Sequence, residues 1–142
     1  MIRSYEKADL DDVMRLWLDT NIKAHHFIDR SYWQSNYEAV KEMMPQATVY
    51  VYVQGNAVQA FIGLMDDYIA GVFVSSEFQS KGIGKRLLDY TKATNNELSL
   101  RVYKRNDRAV DFYIREGFSV TAEQVDDNTG QTEFLMEWVT RE

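Results

Sequence analysis

The segment Gln79-Ser80-Lys81-Gly82-Ile83-Gly84 has the residue types and spacing best suited to chemistry in this chain. An apolar stretch, 69–74, precedes it, and an amphipathic stretch that begins at Lys85 follows it. Glycines let the backbone approach a ligand without a side-chain clash, and the unpaired N–H groups at a helix N-terminus carry partial positive charge. The segment therefore predicts a site for a phosphorylated ligand, although an ordinary turn between a strand and a helix would use the same glycines.

Two common nucleotide-binding patterns are excluded at this segment. A Walker A loop has four residues between its glycines and a Lys-Ser/Thr pair after the second, whereas one residue separates Gly82 from Gly84 here and Lys85-Arg86 follows. A dinucleotide-binding fingerprint requires a third glycine where this chain has Leu87. The phosphorylated ligand is therefore predicted to belong to another class.

Length and composition limit the class of protein. A chain of 142 residues with 45% hydrophobic residues and one proline is expected to form a single domain over residues 1–142. Its net charge of −6 argues against nonspecific nucleic-acid binding. No apolar stretch has the roughly 18 residues that a membrane-spanning helix needs, and the N-terminus lacks a signal-peptide core. The absence of cysteine excludes disulfides, thiol catalysis and cysteine metal ligands, so a cytoplasmic protein without a metal site is expected.

Hydrophobic periodicity predicts the elements that must position the glycine segment. A short opening strand over 2–5 is followed by helices over 9–21 and 29–44, and the loop between these helices holds both histidines. The order of the elements indicates an α+β fold with helices packed on a partly antiparallel sheet. The remaining predicted elements are strands over 48–53, 57–65 and 68–74, a helix over 82–94, a strand over 97–103, a helix over 107–116 with Asn106 as its N-cap, and a hairpin of strands over 118–125 and 132–139.

Two motifs in this order make the chain resemble the GNAT superfamily of acyl-CoA-dependent N-acetyltransferases. The segment 79–84 resembles the family's pyrophosphate loop, and 106–118 resembles its second motif, Asn-x-x-Ala-x-x-Phe-Tyr-x-x-x-Gly-Phe, about 27 positions later. The resemblance covers essentially the whole chain. It implies a mostly antiparallel sheet of about seven strands with four helices, in which the fourth and fifth strands splay apart. Trp17, His25, Phe27-Ile28 and Tyr32-Trp33 are similar to a bacterial branch that includes protein-lysine acetyltransferases.

The resemblance implies acetyl-CoA as the co-substrate. The backbone N–H groups of 79–85 would hold its pyrophosphate, with Lys81, Lys85 or Arg86 adding charge, and its pantetheine arm would pair with the fourth strand like an extra strand. A backbone N–H near Val74 would polarise the thioester carbonyl. Asn106 would contact the cofactor, cap its helix, or do both. The predicted cofactor-binding residues are Val72, Phe73, Val74, Gln79, Ser80, Lys81, Gly82, Ile83, Gly84, Lys85, Asn106 and Tyr113.

Acetyl transfer to an amine requires a neutral amine and a proton for the leaving thiolate. Deprotonating a lysine of pKa about 10.4 at pH 7 costs roughly 4–5 kcal/mol. Tyr113 stands at the family's tyrosine position and is predicted to be the general acid, since a phenol stays protonated at neutral pH; an aromatic core residue is the alternative. The fourth strand has no carboxylate, so His25 is the candidate base, with Asp66, Asp67 and Glu77 as lesser candidates and water as a further alternative.

The predicted function is direct transfer of an acetyl group from acetyl-CoA to a primary amine in a ternary complex. The amine would be a protein lysine, a protein N-terminus or a small amine, bound by residues 20–37, the turn at 66–68 and the last hairpin. A monomer or homodimer without nucleic-acid or membrane partners is expected. Two other classes remain open: a non-catalytic acyl-CoA-binding or sensing module, and an α+β protein whose turn binds a different phosphate.

Overall fold

The computed structural model describes residues 1–140, which contain one mixed β-sheet. All neighbouring strands are antiparallel except β4 and β5, which are parallel, so the predicted mostly antiparallel sheet is confirmed. The strands are β1 (Ile2–Ser4), β2 (Thr48–Gln54), β3 (Ala57–Met65), β4 (Tyr68–Val74), β5 (Glu97–Tyr103), β6 (Ser119–Val125) and β7 (Thr132–Val139), in the order β1-β2-β3-β4-β5-β7-β6 across the sheet.

Four α-helices lie within the described residues, as predicted. The first is two residues longer than expected and ends three residues later, at Ala24, so the loop with both histidines begins at His25. Asn21 is helical as predicted, and its buried side chain donates to the carbonyl of Trp17. The helices are α1 (Leu10–Ala24), α2 (Arg30–Met43), α3 (Ile83–Lys92) and α4 (Asp107–Arg115), and single 3-10 turns occupy Lys7–Asp9, Met44–Gln46 and Ser76–Phe78.

Helices cover both faces of the sheet and create two hydrophobic cores. Neighbouring residues on β3 show this arrangement: Phe61 packs with α1 and α2, whereas Ile62 packs with α3 and α4, and both are buried. Successive side chains of a strand point to opposite faces, so a strand covered on both sides carries a continuous apolar run rather than an alternating one. The sheet therefore separates an α1–α2 layer from an α3–α4 layer.

A buried ion pair connects the first strand to the start of α1. The Asp9 carboxylate accepts from both guanidinium nitrogens of Arg3, at 2.8 and 3.0 Å, and from the backbone N–H of Glu6 at 2.8 Å. The hydrogen bonds from Arg3 hold the pKa of Asp9 below its ordinary value, against the opposing effect of burial. Composition and periodicity do not predict this contact, because they place Asp9 only as the first residue of a helix over 9–21.

We expect Asp9→Asn to lower the free energy of unfolding at pH 7 by about 1.5–3 kcal/mol, the range for hydrogen bonds to charged groups. The pKa of Asp9 is depressed on folding, so this stabilisation is present above the unfolded pKa of about 3.9 and is lost as the pH falls through the folded pKa. Urea denaturation at pH 7 and at pH 3 measures both effects. Asp12→Asn, which removes an exposed pair with Arg15, is the control and should change stability by less than about 1 kcal/mol.

Candidate active site

The site begins where the pairing of β4 and β5 stops. These strands pair over two positions, Tyr68 with Ser99 and Ile69 with Leu100, although each strand continues for several residues beyond them. Past Ile69 the two strands diverge, which confirms the predicted splay. The sheet is therefore open along the C-terminal half of β4.

A β-bulge in β4 lies where the pairing ends. On the other edge of β4, Leu64 pairs with Ile69 and Gly63 pairs with Gly71, so Ala70 is an extra residue without an opposite partner. A bulge bends its strand and increases the local twist. The bend redirects β4 just after its last pair with β5.

The divergence produces a cleft of about 1170 Å³. Its walls are β4, the end of β5, the glycine turn, α4 and the C-terminal end of α1. It also extends to Trp33 in the first turn of α2 and to the β6–β7 hairpin. The cleft therefore contacts elements of both helical layers.

The open edge of β4 presents backbone hydrogen-bonding groups to the cleft. The N–H of Ser75 donates to the carbonyl of Gln59 on the β3 side. Because the direction of backbone groups alternates along a strand, those of Val72 and Val74 point to the opposite edge, toward the cleft. The Gln79 side chain donates to the Val74 carbonyl at 3.0 Å, which agrees with this direction.

The side chains of these β4 residues pack in the two cores. Phe73 stacks on Phe61 with centroids 4.6 Å apart, and its ring occupies the space above Gly71, where an added Cβ would lie 2.4 Å from it. Val72 faces the α3–α4 layer, where its Cγ1 would lie 3.7 Å from a Cβ at Gly84. Core packing by these side chains therefore coexists with a ligand-facing backbone edge.

The glycine turn forms a concave surface of backbone N–H groups. Ser80 and Gly82 have positive φ values of 63° and 80°, and Gly82 is the N-cap of α3. Within residues 1–140, no backbone N–H from Gln79 to Lys85 donates a hydrogen bond. Successive N–H groups with left-handed residues among them form a nest for anions, which the helix N-terminus strengthens.

Arg108 on α4 holds this turn in place. Its guanidinium donates to the side-chain oxygen of Gln79 at 2.9 Å and to the hydroxyl of Ser80 at 2.8 Å. The Gln79 amide also donates to Val74, so the side chain bridges β4 and α4. These contacts stabilise the positive φ of Ser80, which is uncommon for a residue other than glycine.

The cations next to the glycines differ in where they point. Lys85 lines the cleft, and its Nζ lies 3.2 Å from carboxylate oxygens of both Asp89 and Glu116. Lys81 and Arg86 each lie over an aromatic ring, 5.4 and 5.2 Å from its centroid, and neither is part of the cleft lining. Arg108 on α4, which was not among the cofactor-binding residues predicted from the sequence, lines the cleft.

Tyr113 projects from α4 into the interior beside the cleft. The residue is only 7% exposed, and it packs edge-on against Phe112 and Phe118. Burial and the nearby Tyr68 raise the pKa of its phenol, with an opposing backbone hydrogen bond from Val72. Tyr113 therefore keeps its proton at neutral pH, and it lies next to the open edge of β4.

His25 has both ring nitrogens in contact with other groups. Nδ1 lies 3.0 Å from the carbonyl of Asn21, and Nε2 lies 3.2 Å from the side-chain amide nitrogen of Asn106, so the neutral ring donates from Nδ1 and accepts at Nε2. Burial lowers the pKa of His25 to about 4, against the opposing hydrogen bond to Asn21. The ring also stacks on Trp33 with centroids 5.1 Å apart.

Asn106 connects α4 to this histidine. Its side-chain oxygen accepts from the N–H of Ala109 at 3.3 Å, which confirms its predicted role as the N-cap of α4. The amide nitrogen of the same side chain contacts His25. Asn106 therefore fixes the start of the helix that carries Tyr113 and joins it to the loop after α1.

Comparison with known proteins identifies the family. Residues 20–139 match the acetyltransferase (GNAT) domain. The chain belongs to the GNAT acetyltransferase family. The peptidyl-lysine N-acetyltransferase YiaC of Escherichia coli is 29% identical over 140 residues, covering 97% of this chain and 96% of that protein.

Solved structures of other GNAT proteins share the fold. The solution structure of apo YjaB from Escherichia coli has a TM-score of 0.85 at 23% identity and covers 98% of this chain and 97% of its own. The PaiA N-acetyltransferase of Thermoplasma acidophilum, solved in complex with coenzyme A, has a TM-score of 0.78 at 19% identity and covers 99% and 98%. The predicted GNAT fold is confirmed.

Membership of the GNAT family also confirms, at the level of the family, the prediction of an acetyl-CoA-dependent N-acetyltransferase with acetyl-CoA as co-substrate. In the part of the chain that the structure describes, no cluster of three or more Asp, Glu and His side chains is arranged to hold a metal ion. In the same part, none of the helices has the length and apolar character to cross a bilayer.

The end of the cleft farther from the glycine turn contains residues that the GNAT motifs do not include. Trp33 and Tyr68, expected there from the sequence, line the cleft, whereas Tyr37 packs in the α1–α2 core. Asp66, Asp67 and Glu77 do not line it. Asp126 and Glu133, which also line this end, belong to the last hairpin that was expected there from the sequence. Arg101 and Tyr103 of β5 were not expected, because strand pairing between distant segments brings them to this end.

We expect Arg108→Ala to weaken coenzyme A binding about tenfold, because the glycine turn loses the two hydrogen bonds that fix Gln79 and Ser80. Isothermal titration calorimetry with coenzyme A measures the change. Lys104→Ala, which removes a cation outside the cleft lining, is the control and should bind within twofold of the unsubstituted protein. Equal affinities for the two variants would contradict a role for Arg108 in ordering the turn.

The lowered pKa of His25 predicts a loss of stability in mild acid. The folded pKa of about 4 lies below the ordinary value of 6.5, so the unfolded chain binds the proton more readily and stability falls as the pH drops from 6.5 toward 4. We expect the free energy of unfolding to fall by about 2 kcal/mol between pH 7 and pH 5 through this group. Urea denaturation of His25→Gln should lack that decrease, whereas the control His26→Gln should retain it.

Proposed function

We propose that this GNAT protein transfers the acetyl group of acetyl-CoA to the ε-amino group of lysine in a protein or peptide. The observation that carries the proposal is the cleft, which joins the nest of N–H groups at 79–85 to the buried phenol of Tyr113 along the open edge of β4. The similarity to a peptidyl-lysine N-acetyltransferase over nearly the full length of both chains supports lysine as the acceptor. A protein N-terminus or a small amine would use the same chemistry.

The residues along the cleft fit acetyl-CoA. Backbone N–H groups of 79–85 suit a pyrophosphate, and the open edge at Val72 and Val74 suits the amide-bearing pantetheine arm. Acetyl-CoA, when bound, supplies an activated acetyl thioester. The N–H groups of Val72 and Val74 are the donors directed to the cleft, and one of them near the thioester would polarise its carbonyl.

Tyr113 is proposed as the general acid for the leaving thiolate. Burial raises the pKa of its phenol and so keeps it protonated, and its contacts with Phe112 and Phe118 hold the ring beside the cleft. The chain has no cysteine to form an acetyl-thioester of its own, which supports direct transfer in a ternary complex. Cytoplasmic location, oligomeric state and the lack of nucleic-acid partners stay predictions.

His25 is proposed to position Asn106 rather than to take the proton of the amine. Its Nε2 lone pair accepts from Asn106, so a proton at that nitrogen would break the contact. We therefore propose a structural role for His25, which the sequence had suggested as the base.

We expect Tyr113→Phe to lower kcat for a lysine peptide about 10²-fold or more, as for other acid–base residues, while coenzyme A affinity stays within twofold. Thiol release in the presence of acetyl-CoA measures kcat, and calorimetry measures affinity. Tyr90→Phe, on the exposed face of α3, is the matched control and should keep full activity. An active Tyr113→Phe variant would contradict the general-acid role, and tight binding of coenzyme A without turnover of any amine would favour a sensing module.

A further inference from the structure

We propose that Glu133 receives the ammonium group of the acceptor and takes its proton, an inference that rests on the acetyltransferase function proposed above. Glu133 lies on β7 and lines the cleft, although the residue is only 9% exposed. A carboxylate in this position provides the negative charge that a lysine side chain needs when it leaves water. It also provides a base that β4 lacks.

Strand pairing fixes where the Glu133 side chain points. Glu133 is opposite Tyr103 of β5 on one side and Gln124 of β6 on the other. Directly opposed residues have their side chains on the same face of a sheet, and Tyr103 packs with the α1–α2 core. Glu133 therefore lies on the α1–α2 side of the cleft, whereas Tyr113 belongs to the α3–α4 layer.

One oxygen of Glu133 is engaged and the other is not. Gln124 donates from its side-chain amide to Oε2 at 2.7 Å, which fixes the orientation of the carboxylate. Within residues 1–140, Oε1 accepts no hydrogen bond and no cationic side chain lies within 4 Å of the carboxylate. The group is therefore held in place with one oxygen available to a ligand.

The other carboxylates of the cleft lining are engaged more fully. Asp126 accepts from the hydroxyl of Tyr103 at 2.7 Å, from the hydroxyl of Thr129 at 3.2 Å and from the N–H of Asn128 at 3.0 Å. Glu116 is paired with Lys85 on the opposite side. Among the described residues that line the cleft, Glu133 is thus the acidic side chain best able to accept a cation.

The groups around Glu133 link it to the reacting end of the cleft. Tyr68 on β4 lines the same cleft as Glu133. Burial is the main cause of the raised pKa values of Tyr68 and of Tyr32 on α2, and the charge of Glu133 adds to both shifts. Tyr113 lines this cleft as well, and burial raises the pKa of its phenol with a smaller contribution from Tyr68. Arg101 of β5 also lines this end of the cleft, and its positive charge opposes an ammonium group, which the carboxylates of Glu133 and Asp126 must offset.

The proposed step balances its protons. A proton passes from the ammonium to Oε1 of Glu133, directly or through one water, and leaves a neutral amine. The amine nitrogen then bonds to the thioester carbonyl carbon, and the carbon–sulfur bond breaks as the thiolate receives a proton from Tyr113. The nitrogen's second proton restores the Tyr113 phenol, and Glu133 releases its proton to solvent. The products are the acetyl-lysine amide, free coenzyme A thiol and one proton.

Glu133→Gln tests the proposal with little change of shape. Its kcat/KM for a lysine peptide with a blocked N-terminus should fall 10²-fold or more at pH 7, the range for general bases, with coenzyme A affinity within twofold. The control is Glu137→Gln on the same strand, where the side chain is exposed and outside the cleft lining; its kcat/KM should change less than twofold. Calorimetry with coenzyme A verifies that both variants are folded.

The pH dependence separates a base from a structural residue. Glu133→Gln must use the neutral amine from solution, so its kcat/KM should rise about tenfold per pH unit between pH 7 and 9.5, below the lysine pKa of about 10.4, and approach that of the unsubstituted protein. If Glu133 had only a structural role, Glu133→Gln would lose kcat/KM by the same factor at pH 7 and at pH 9.5, and that result would overturn the proposal. A kcat/KM equal to that of Glu137→Gln would also overturn it.

Failure of the broader function gives a different result. If the unsubstituted protein releases no thiol with any lysine peptide, the acetyltransferase proposal fails and the role of Glu133 fails with it. If the unsubstituted protein is active and Glu133→Gln matches it, the function stands and only the role of Glu133 is overturned. If Glu133→Gln does not bind coenzyme A, Glu133→Asp and Glu133→Ala are compared in its place. Glu133→Asp keeps the carboxylate and should retain more activity at pH 7 than Glu133→Ala. Equal losses of activity in Glu133→Asp and Glu133→Ala would overturn the proposal.

Discussion

The short pairing between β4 and β5 is the constraint on which the rest of the site depends. Two paired positions hold the strands together, and the bulge at Ala70 then redirects β4. A continuous sheet would bury the backbone edge of β4 in a ladder with β5. The divergence instead leaves the groups of Val72 and Val74 for a ligand and opens a cleft between the two helical layers. The backbone groups of β4 that do not pair with β5 are therefore available to bind a ligand.

Side-chain hydrogen bonds connect the elements around the cleft where β4 and β5 do not pair with each other. Arg108 on α4 holds Gln79 and Ser80 of the glycine turn, and Gln79 continues the connection to β4. On the other layer, Asn106 reaches His25 at the end of α1. Both links begin in the first turn of α4. Ordering of this turn therefore couples the anion nest, the loop after α1 and the helix that presents Tyr113.

Local patterns predicted most of the fold and half of the site. Periodicity located the strands and helices, and the glycines and the Asn106 cap marked the turns that determine backbone geometry. The directions of Lys81 and Arg86 were not predictable, since each lies over an aromatic ring from another segment or turn. Glu133 was not singled out within the expected last hairpin, because its surroundings come from strand pairing over long sequence distances. The bulge at Ala70 has no local signature, since alanine suits a regular strand equally well.

The two proposed proton-transfer groups require different surroundings, and the sheet provides them by separating two layers. A general acid benefits from apolar neighbours that keep it neutral, and Tyr113 has Phe112 and Phe118 around it. A group that receives an ammonium needs an available carboxylate oxygen in the cleft, which Glu133 provides on the α1–α2 side. If both were on one layer, the carboxylate would add charge beside the phenol and the leaving thiolate. In the proposed reaction, the cleft between the strands therefore lets Glu133 face the amine from one side and Tyr113 face the leaving thiolate from the other.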